Sequence, residues 1–144
     1  MTDLEIKQFM KKLNTFMTVS FVIWILIIVY QAILGLLTFI VGYGITTWCC
    51  MVWNIIGCVK YYKTMNVFKN VSTKEEAAYV IQYFESSITS CWIFMFVNLI
   101  FGGFLGFIGN LYDLILSYYV KGKKGEILMP VENRPVVDAD WNEI

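Results

Sequence analysis

The stretch NLIFGGFLGFIGNLYD, residues 98–113, lies inside a long apolar segment and contains four closely spaced glycines. Between residues 86 and 120, Asp113 is the only acidic or basic residue. A single helix over this segment would be about 50 Å long, well beyond a hydrocarbon core of about 30 Å. Because glycine tolerates the backbone angles of a tight turn, we expect the chain to reverse at Gly102 and Gly103.

A second apolar segment, residues 13–59, contains no acidic or basic residue at all. It is too long for one membrane span of about 20 residues and fits two spans, with a turn at residues 42–44. The sequence therefore predicts an all-α, polytopic membrane protein with four transmembrane helices arranged as two hairpins. The predicted spans cover about residues 16–41, 45–62, 87–101 and 104–120. A three-span alternative, with residues 86–120 as one helix, stays open.

Two segments outside these spans carry helix signals. In residues 1–15, Ile6, Phe9 and Leu13 recur at helical spacing, which predicts a short amphipathic helix resting on the membrane surface. Residues 63–86 are more polar and form a predicted cytoplasmic helical loop. Its helix should begin at Thr73, because Thr73 and Glu76 fit a capping box.

The last segment, residues 121–144, contains both prolines and lacks helical periodicity. We predict a largely disordered cytoplasmic tail. Trp141 lies there among acidic residues, so residues 130–144 are a candidate docking segment for a cytoplasmic partner.

The distribution of basic residues predicts the orientation of the chain in the membrane. All eleven lysine and arginine residues lie before the first span, around residues 60–74, or after the fourth span. Cytoplasmic flanks are enriched in such residues, so both termini should be cytoplasmic. The predicted interfacial anchors are Tyr61, Tyr62, Tyr118 and Tyr119. The absence of a disulfide framework and of exposed loops suggests the plasma (inner) membrane of a bacterium.

Polar side chains recur at helical spacing in every predicted span, Ser20 and Trp24 among them. The amides of this set are Gln31, Asn54, Asn98 and Asn110. Lipid offers no hydrogen-bonding partner, so these faces should turn toward each other or toward another subunit. The simplest interpretation of the amides is packing between helices. Helix packing is likewise expected at Gly102, Gly103, Gly106 and Gly109, inside one chain or between two copies.

Asp113 is the leading candidate for a functional residue. An aspartate at a span centre costs about 2.5–3.5 kcal/mol on insertion scales, and the predicted spans hold no arginine and no lysine save Lys60, at the cytoplasmic end of the second span. Asp113 is either protonated and hydrogen-bonded to Asn110, Asn54 or Asn98, or it faces a wet cavity. A shallow fourth span, with the carboxyl partly solvated at the interface, is the third alternative.

Composition narrows the function classes. The net charge is zero, which argues against a nucleic-acid partner, and the chain has no histidine. The four cysteines form no metal-binding spacing. We therefore expect that the protein is not an enzyme and that it has no catalytic residue, no metal and no cofactor.

Two function classes remain. The leading one is a non-catalytic accessory, scaffold or immunity-type subunit acting through helix–helix association in the lipid bilayer. Its expected partner is another copy, in a homo-oligomer, or another membrane protein. The alternative is a small oligomeric ion or solute transporter or channel that uses Asp113 and the intramembrane amides.

Overall fold

The computed structural model describes residues 1–128, which are helical and contain no β-strand. The helices are α1 (Asp3–Leu37), α2 (Tyr43–Phe68), α3 (Lys74–Val97), α4 (Phe104–Gly122) and α5 (Lys124–Leu128). The all-α prediction is confirmed for these residues. Two helical stretches, Asp3–Leu37 and Lys74–Gly102, are long and apolar enough to cross a membrane. The four spans and the hairpin arrangement stay predictions.

The breaks before α2 and before α4 lie at the predicted glycines. A 3-10 turn, Phe39–Val41, precedes Gly42, and a π-helical turn, Asn98–Gly102, precedes Gly103. Gly42 has φ of 77° and Gly103 has φ of 78°. Residues with a Cβ rarely adopt these angles, so glycine allows α2 and α4 to start immediately afterwards.

The N-terminal segment, predicted as an amphipathic surface helix that leads into the first span, is the beginning of α1. α1 runs without interruption from Asp3 to Leu37. The apolar stripe of its first turns packs against the protein, and Ile6 and Leu13 are fully buried. It joins one cluster with residues of every other helix, which includes Met65, Phe68, Val80, Ile81, Phe84, Val120 and Ile127. The ends of α2, α3 and α4 extend far enough to cover the stripe.

Most of the predicted helical loop, residues 63–86, belongs to α2 and α3, and the helix expected from Thr73 runs on into the third predicted span. α2 continues to Phe68, and α3 begins at Lys74 with Thr73 as its N-cap. The Thr73 hydroxyl accepts from the backbone N–H of Glu76 at 3.3 Å, and the Thr73 N–H donates to the Glu76 carboxylate at 3.2 Å. This reciprocal pair confirms the predicted capping box.

α4 ends at Gly122 and α5 follows from Lys124 to Leu128, although the sequence predicted a tail from residue 121. α5 is held against the bundle because Ile127 is fully buried and Lys124 Nζ forms an ion pair with Glu85 at 3.0 Å. The predicted docking segment, residues 130–144 with Trp141, lies outside the described residues.

Contacts run in opposite order along the paired helices. In α1 and α2, Phe21 lies against Tyr62 with ring centroids 5.4 Å apart, and further along Trp48 Nε1 donates to the Ala32 carbonyl at 3.4 Å. α3 and α4 pack in the same manner, and α1 also contacts α4.

α2 and α3 pack against each other less than α1 and α2 do. They meet where Phe68 contacts Tyr83 and where Trp53 contacts Phe94, and two cavities lie between them.

Candidate intramembrane polar site

Gln31, Asn54 and Asn98 form one hydrogen-bonded network between α1, α2 and the π-helical turn. Asn54 Nδ2 donates to Gln31 Oε1 and to Asn98 Oδ1, both at 2.9 Å. Gln31 Nε2 donates to Asn98 Oδ1 at 3.3 Å and to the Gly102 carbonyl at 3.1 Å. All three side chains are buried. The structure therefore brings together three of the five predicted polar residues within one chain.

Asp113 lies apart from that network. Its carboxylate accepts from the Ser20 hydroxyl through Oδ1 and from the Trp24 indole N–H through Oδ2, the latter at 2.7 Å. The expected bonds to Asn110, Asn54 or Asn98 are thus replaced by bonds to α1. The reason is the rotation of α4 about its axis, which turns Asp113 toward the α1 face where Ser20 and Trp24 lie one turn apart.

Asn110 belongs to neither group. Its Nδ2 donates to the Gly106 carbonyl at 3.0 Å and to the Phe94 carbonyl at 3.3 Å. These acceptors are backbone atoms of α4 and α3. Asn110 therefore links two neighbouring helices, and it makes no side-chain bond to Asp113.

The predicted packing glycines make their close contacts inside the chain. A Cβ at Gly102 would lie 2.5 Å from Asn98 Oδ1 and 2.5 Å from Gln31 Nε2. A Cβ at Gly106 would lie 2.9 Å from the Asn98 Cβ, and one at Gly109 would clash with Ile27 of α1. The absence of side chains at these glycines lets α4 approach the polar network closely.

The four predicted anchor tyrosines divide into two pairs. Tyr62 and Tyr118 are about half exposed and point out of the bundle. Tyr119 packs between Phe9 and Phe16, with centroid distances of 6.2 and 5.9 Å. Tyr61 is partly buried and lines a cavity beside Asp113.

Two adjoining cavities lie between α2 and α3. The smaller, of about 160 Å³, has Asp113 in its wall together with Trp24, Tyr61 and residues of α2 and α3. The larger, of about 360 Å³, is lined mainly by apolar groups. Trp53, Asn54 and Phe94 line both cavities. We call the combined space the α2–α3 cleft.

The lining of the cleft combines apolar, small and hydrogen-bonding residues with one carboxyl group. Asp113 is the only charged side chain in its lining, and no lysine or arginine lies there. Among residues 1–128, no group of histidine, cysteine, aspartate and glutamate side chains could hold a metal ion. The cleft therefore offers one carboxylate, several hydrogen-bonding groups and aromatic walls.

Sequence analysis missed the bonds of Ser20 and Trp24 to Asp113, although it placed both residues on the polar face of the first span. Their spacing to Gln31, in steps of four and seven, is the signal that could have paired this face with α4.

Comparison of the chain with protein-family models, with curated proteins and with solved structures finds no match. The described residues define a class: an all-helical chain with two helical stretches long and apolar enough to cross a membrane. Its distinguishing feature is a carboxylate that lines a cleft between two helices.

Proposed function

We propose that the chain is a four-span membrane protein of two helical hairpins, with both termini in the cytoplasm of a bacterium. The opposite order of contacts along α1 and α2 supports this arrangement. Lysines also gather at one end of the bundle, where Lys7, Lys11 and Lys69 line a common pocket and Lys124 pairs with Glu85. One basic end is what the positive-inside rule requires of four spans.

Within the membrane, the protein acts as a non-catalytic accessory or scaffold subunit, of the kind found in immunity-type pairs. It binds a transmembrane helix of another membrane protein in the α2–α3 cleft. The single observation that carries this proposal is the pair of cavities between α2 and α3, in a region where the two helices meet through Trp53 and Phe94. Membrane helices associate by van der Waals packing, so an open cleft between two of them is a place for a third.

The walls of the cleft suit a helix. α2 contributes Gly57 and Cys58, and α3 contributes Ser90 and Cys91. Small residues of this kind line helix–helix interfaces in membranes because they let backbones approach. At Gly57 the space is open, since a Cβ built there meets nothing within 4 Å.

Site-specific photocross-linking in native membranes tests the proposal. Benzoylphenylalanine at position 53 lies in the cleft, and at position 26 it lies on the outer face of α1, where Leu26 is exposed. We expect one discrete protein adduct from position 53 and only lipid adducts from position 26. The same products from both positions, or only lipid at position 53, would overturn the proposal.

A matched pair of substitutions adds a control to the cross-linking. A Cβ at position 57 meets nothing within 4 Å, so Gly57→Leu should project into the cleft, abolish the adduct and leave folding intact. Val59→Leu, on an exposed part of α2 outside both cavities, should leave the adduct unchanged. An adduct that survives Gly57→Leu would contradict docking in the cleft.

The second candidate function is a small oligomeric transporter or channel for an ion or solute. The observation that favours it is the cavity of about 160 Å³ beside Asp113. Intramembrane carboxylates commonly mark ion and proton pathways. Reconstituted vesicles test this candidate: Asp113→Asn should abolish flux that the wild-type protein supports, and the absence of wild-type flux would remove the candidate.

A further inference from the structure

The carboxyl group of Asp113 has no basic side chain among its hydrogen-bond partners or in the lining of the cleft. Its two hydrogen-bond donors, Ser20 and Trp24, are both neutral. Residues 13–59 and 86–120 contain no lysine or arginine, so no basic side chain lies beside it in the bundle. A carboxylate inside the membrane is stabilised when an opposite charge lies next to it. The cleft in which Asp113 lies is also the proposed binding site for a helix.

We infer that the helix bound in the α2–α3 cleft carries a lysine or an arginine at the depth of Asp113. This inference rests on the proposed function and names the chemistry of the partner. Charge complementarity supports it, because a basic side chain would supply the one charge that the cleft lacks.

The shape of the smaller cavity also fits such a side chain. The cavity is lined by Asp113 and also by Gly57 and Cys91. Gly57 has no side chain and Cys91 has a small one, so a partner backbone can approach there. A long, flexible basic side chain would then pass between α2 and α3 to reach the carboxylate. The rings of Trp53 and Phe94, with centroids 5.9 Å apart, stand at the same place and offer aromatic faces to a cation.

The inferred occupant of the cleft is not a second copy of this chain, although a second copy is the competing occupant. The inferred partner is a different membrane protein, and the assembly is a hetero-complex. Lys60 is the only basic residue in any predicted span, and it precedes Tyr61, which lines the same cavity as Asp113. The mass of the cross-linked adduct distinguishes the two occupants, and an adduct of two copies of this chain would overturn the inference.

The first test uses the cross-linked adduct from position 53 in native membranes. Asp113→Asn removes the charge and retains a hydrogen-bonding side chain, and it should reduce the adduct at least about tenfold. Glu126→Gln, which removes a charge from the exposed α5, is the matched control and should leave the adduct unchanged. If the adduct survives Asp113→Asn, the inference fails while docking in the cleft stands. If the wild-type protein gives no adduct, the proposed function itself fails.

The second test needs no variant, so it does not depend on the folding of Asp113→Asn. Leucine–alanine transmembrane peptides are titrated against the wild-type protein in phosphatidylcholine vesicles. They differ only in one residue, lysine, leucine or glutamate, placed at the depth of Asp113, level with Tyr61 and Ser87 near one end of the predicted spans. Energy transfer between labelled peptide and labelled protein measures binding. We expect the lysine peptide to bind at least about tenfold more tightly than the leucine peptide, and the glutamate peptide to bind most weakly. Equal binding of the three peptides would overturn the inference.

Discussion

Trp24 and Asp113 join the first helix to the fourth, since the indole N–H of Trp24 donates to Asp113 Oδ2 at 2.7 Å. Ser20, one turn earlier in α1, donates to the other carboxylate oxygen. The indole nitrogen is only a donor, so its bond needs an acceptor such as the carboxyl group of Asp113. The two bonds therefore fix the register of α1 against α4 and hold Asp113 at the wall of the cleft.

Trp24→Phe should destabilise the protein by about 1.5–3 kcal/mol. The substitution keeps an aromatic ring and removes the N–H, so one oxygen of a partly buried carboxylate loses its donor. The measurement is the free energy of unfolding, from titration of the protein in mild detergent with sodium dodecyl sulfate, followed by circular dichroism.

Trp53→Phe is the control for that substitution. Trp53 is 60% exposed on the cleft wall, so the same chemical change should alter the free energy of unfolding by less than about 0.5 kcal/mol. Equal effects of the two substitutions would mean that ring size, and not the hydrogen bond to Asp113, determines the stability.

The second prediction is that Asn98 contributes more to the free energy of unfolding than Asn110 does. Asn98 Oδ1 accepts from Asn54 and from Gln31, so Asn98→Ala leaves buried donors without a partner and should cost about 1–3 kcal/mol. Asn110→Ala removes a donor to two backbone carbonyls and should cost about 0.6 kcal/mol, the average for side-chain bonds between membrane helices. The same unfolding titration measures both, and the reverse order would contradict the network.

The positions of the helices could be predicted from the sequence because they depend on local features. Long uncharged segments predict helices, and Gly42 and Gly103 lie where the backbone needs a positive φ. The capping box at Thr73 is equally local, since it involves residues three apart. Helix ends were less accurate: α2 runs to Phe68, because packing of its last turns against α1 and α3 extends a helix that composition alone would end at residue 62.

The site was only partly predictable, for a reason of geometry. Spacing places Ser20, Trp24 and Gln31 on one face of α1, but it does not show which residues of another helix lie opposite them. That depends on the rotation and depth of α4, which tertiary packing determines. Gln31 therefore contacts Asn54 and Asn98, whereas Asp113 contacts Ser20 and Trp24. The cleft itself has no sequence signal, because a weak contact between α2 and α3 is a property of the whole bundle.

A third prediction contrasts two glycines. At Gly106 a Cβ would lie 2.9 Å from the Asn98 Cβ, so Gly106→Ala must move α4 or the π-helical turn and should cost about 1–3 kcal/mol. At Gly57 a Cβ meets nothing within 4 Å, so Gly57→Ala should be neutral or slightly stabilising, since alanine favours a helix. Unfolding titration of both variants measures the difference. A neutral Gly106→Ala would show that α4 does not approach Asn98 as closely as described.

The last prediction concerns the membrane topology on which the cleft depends. In a bacterial host, green fluorescent protein fused after Ile144 should fluoresce, because it folds only in the cytoplasm. Alkaline phosphatase, which is active only outside the cytoplasm, should be inactive at that position. The same phosphatase fused after Gly42 or after Gly103 should be active, since both glycines lie at the turns opposite the lysine-rich end.

These fusions distinguish the four-span topology from the three-span topology. With residues 86–120 as one span, the C-terminus would lie outside, so phosphatase after Ile144 would be active and the fluorescent fusion dark. That outcome would also place Lys121, Lys123 and Lys124 outside, against the charge bias of the remaining chain. It would separate α4 from α1 and remove the bond between Trp24 and Asp113. Two results must therefore occur together: Trp24→Phe lowers the free energy of unfolding, and the phosphatase fused after Gly103 is active. Both results require α4 to return through the bilayer beside α1.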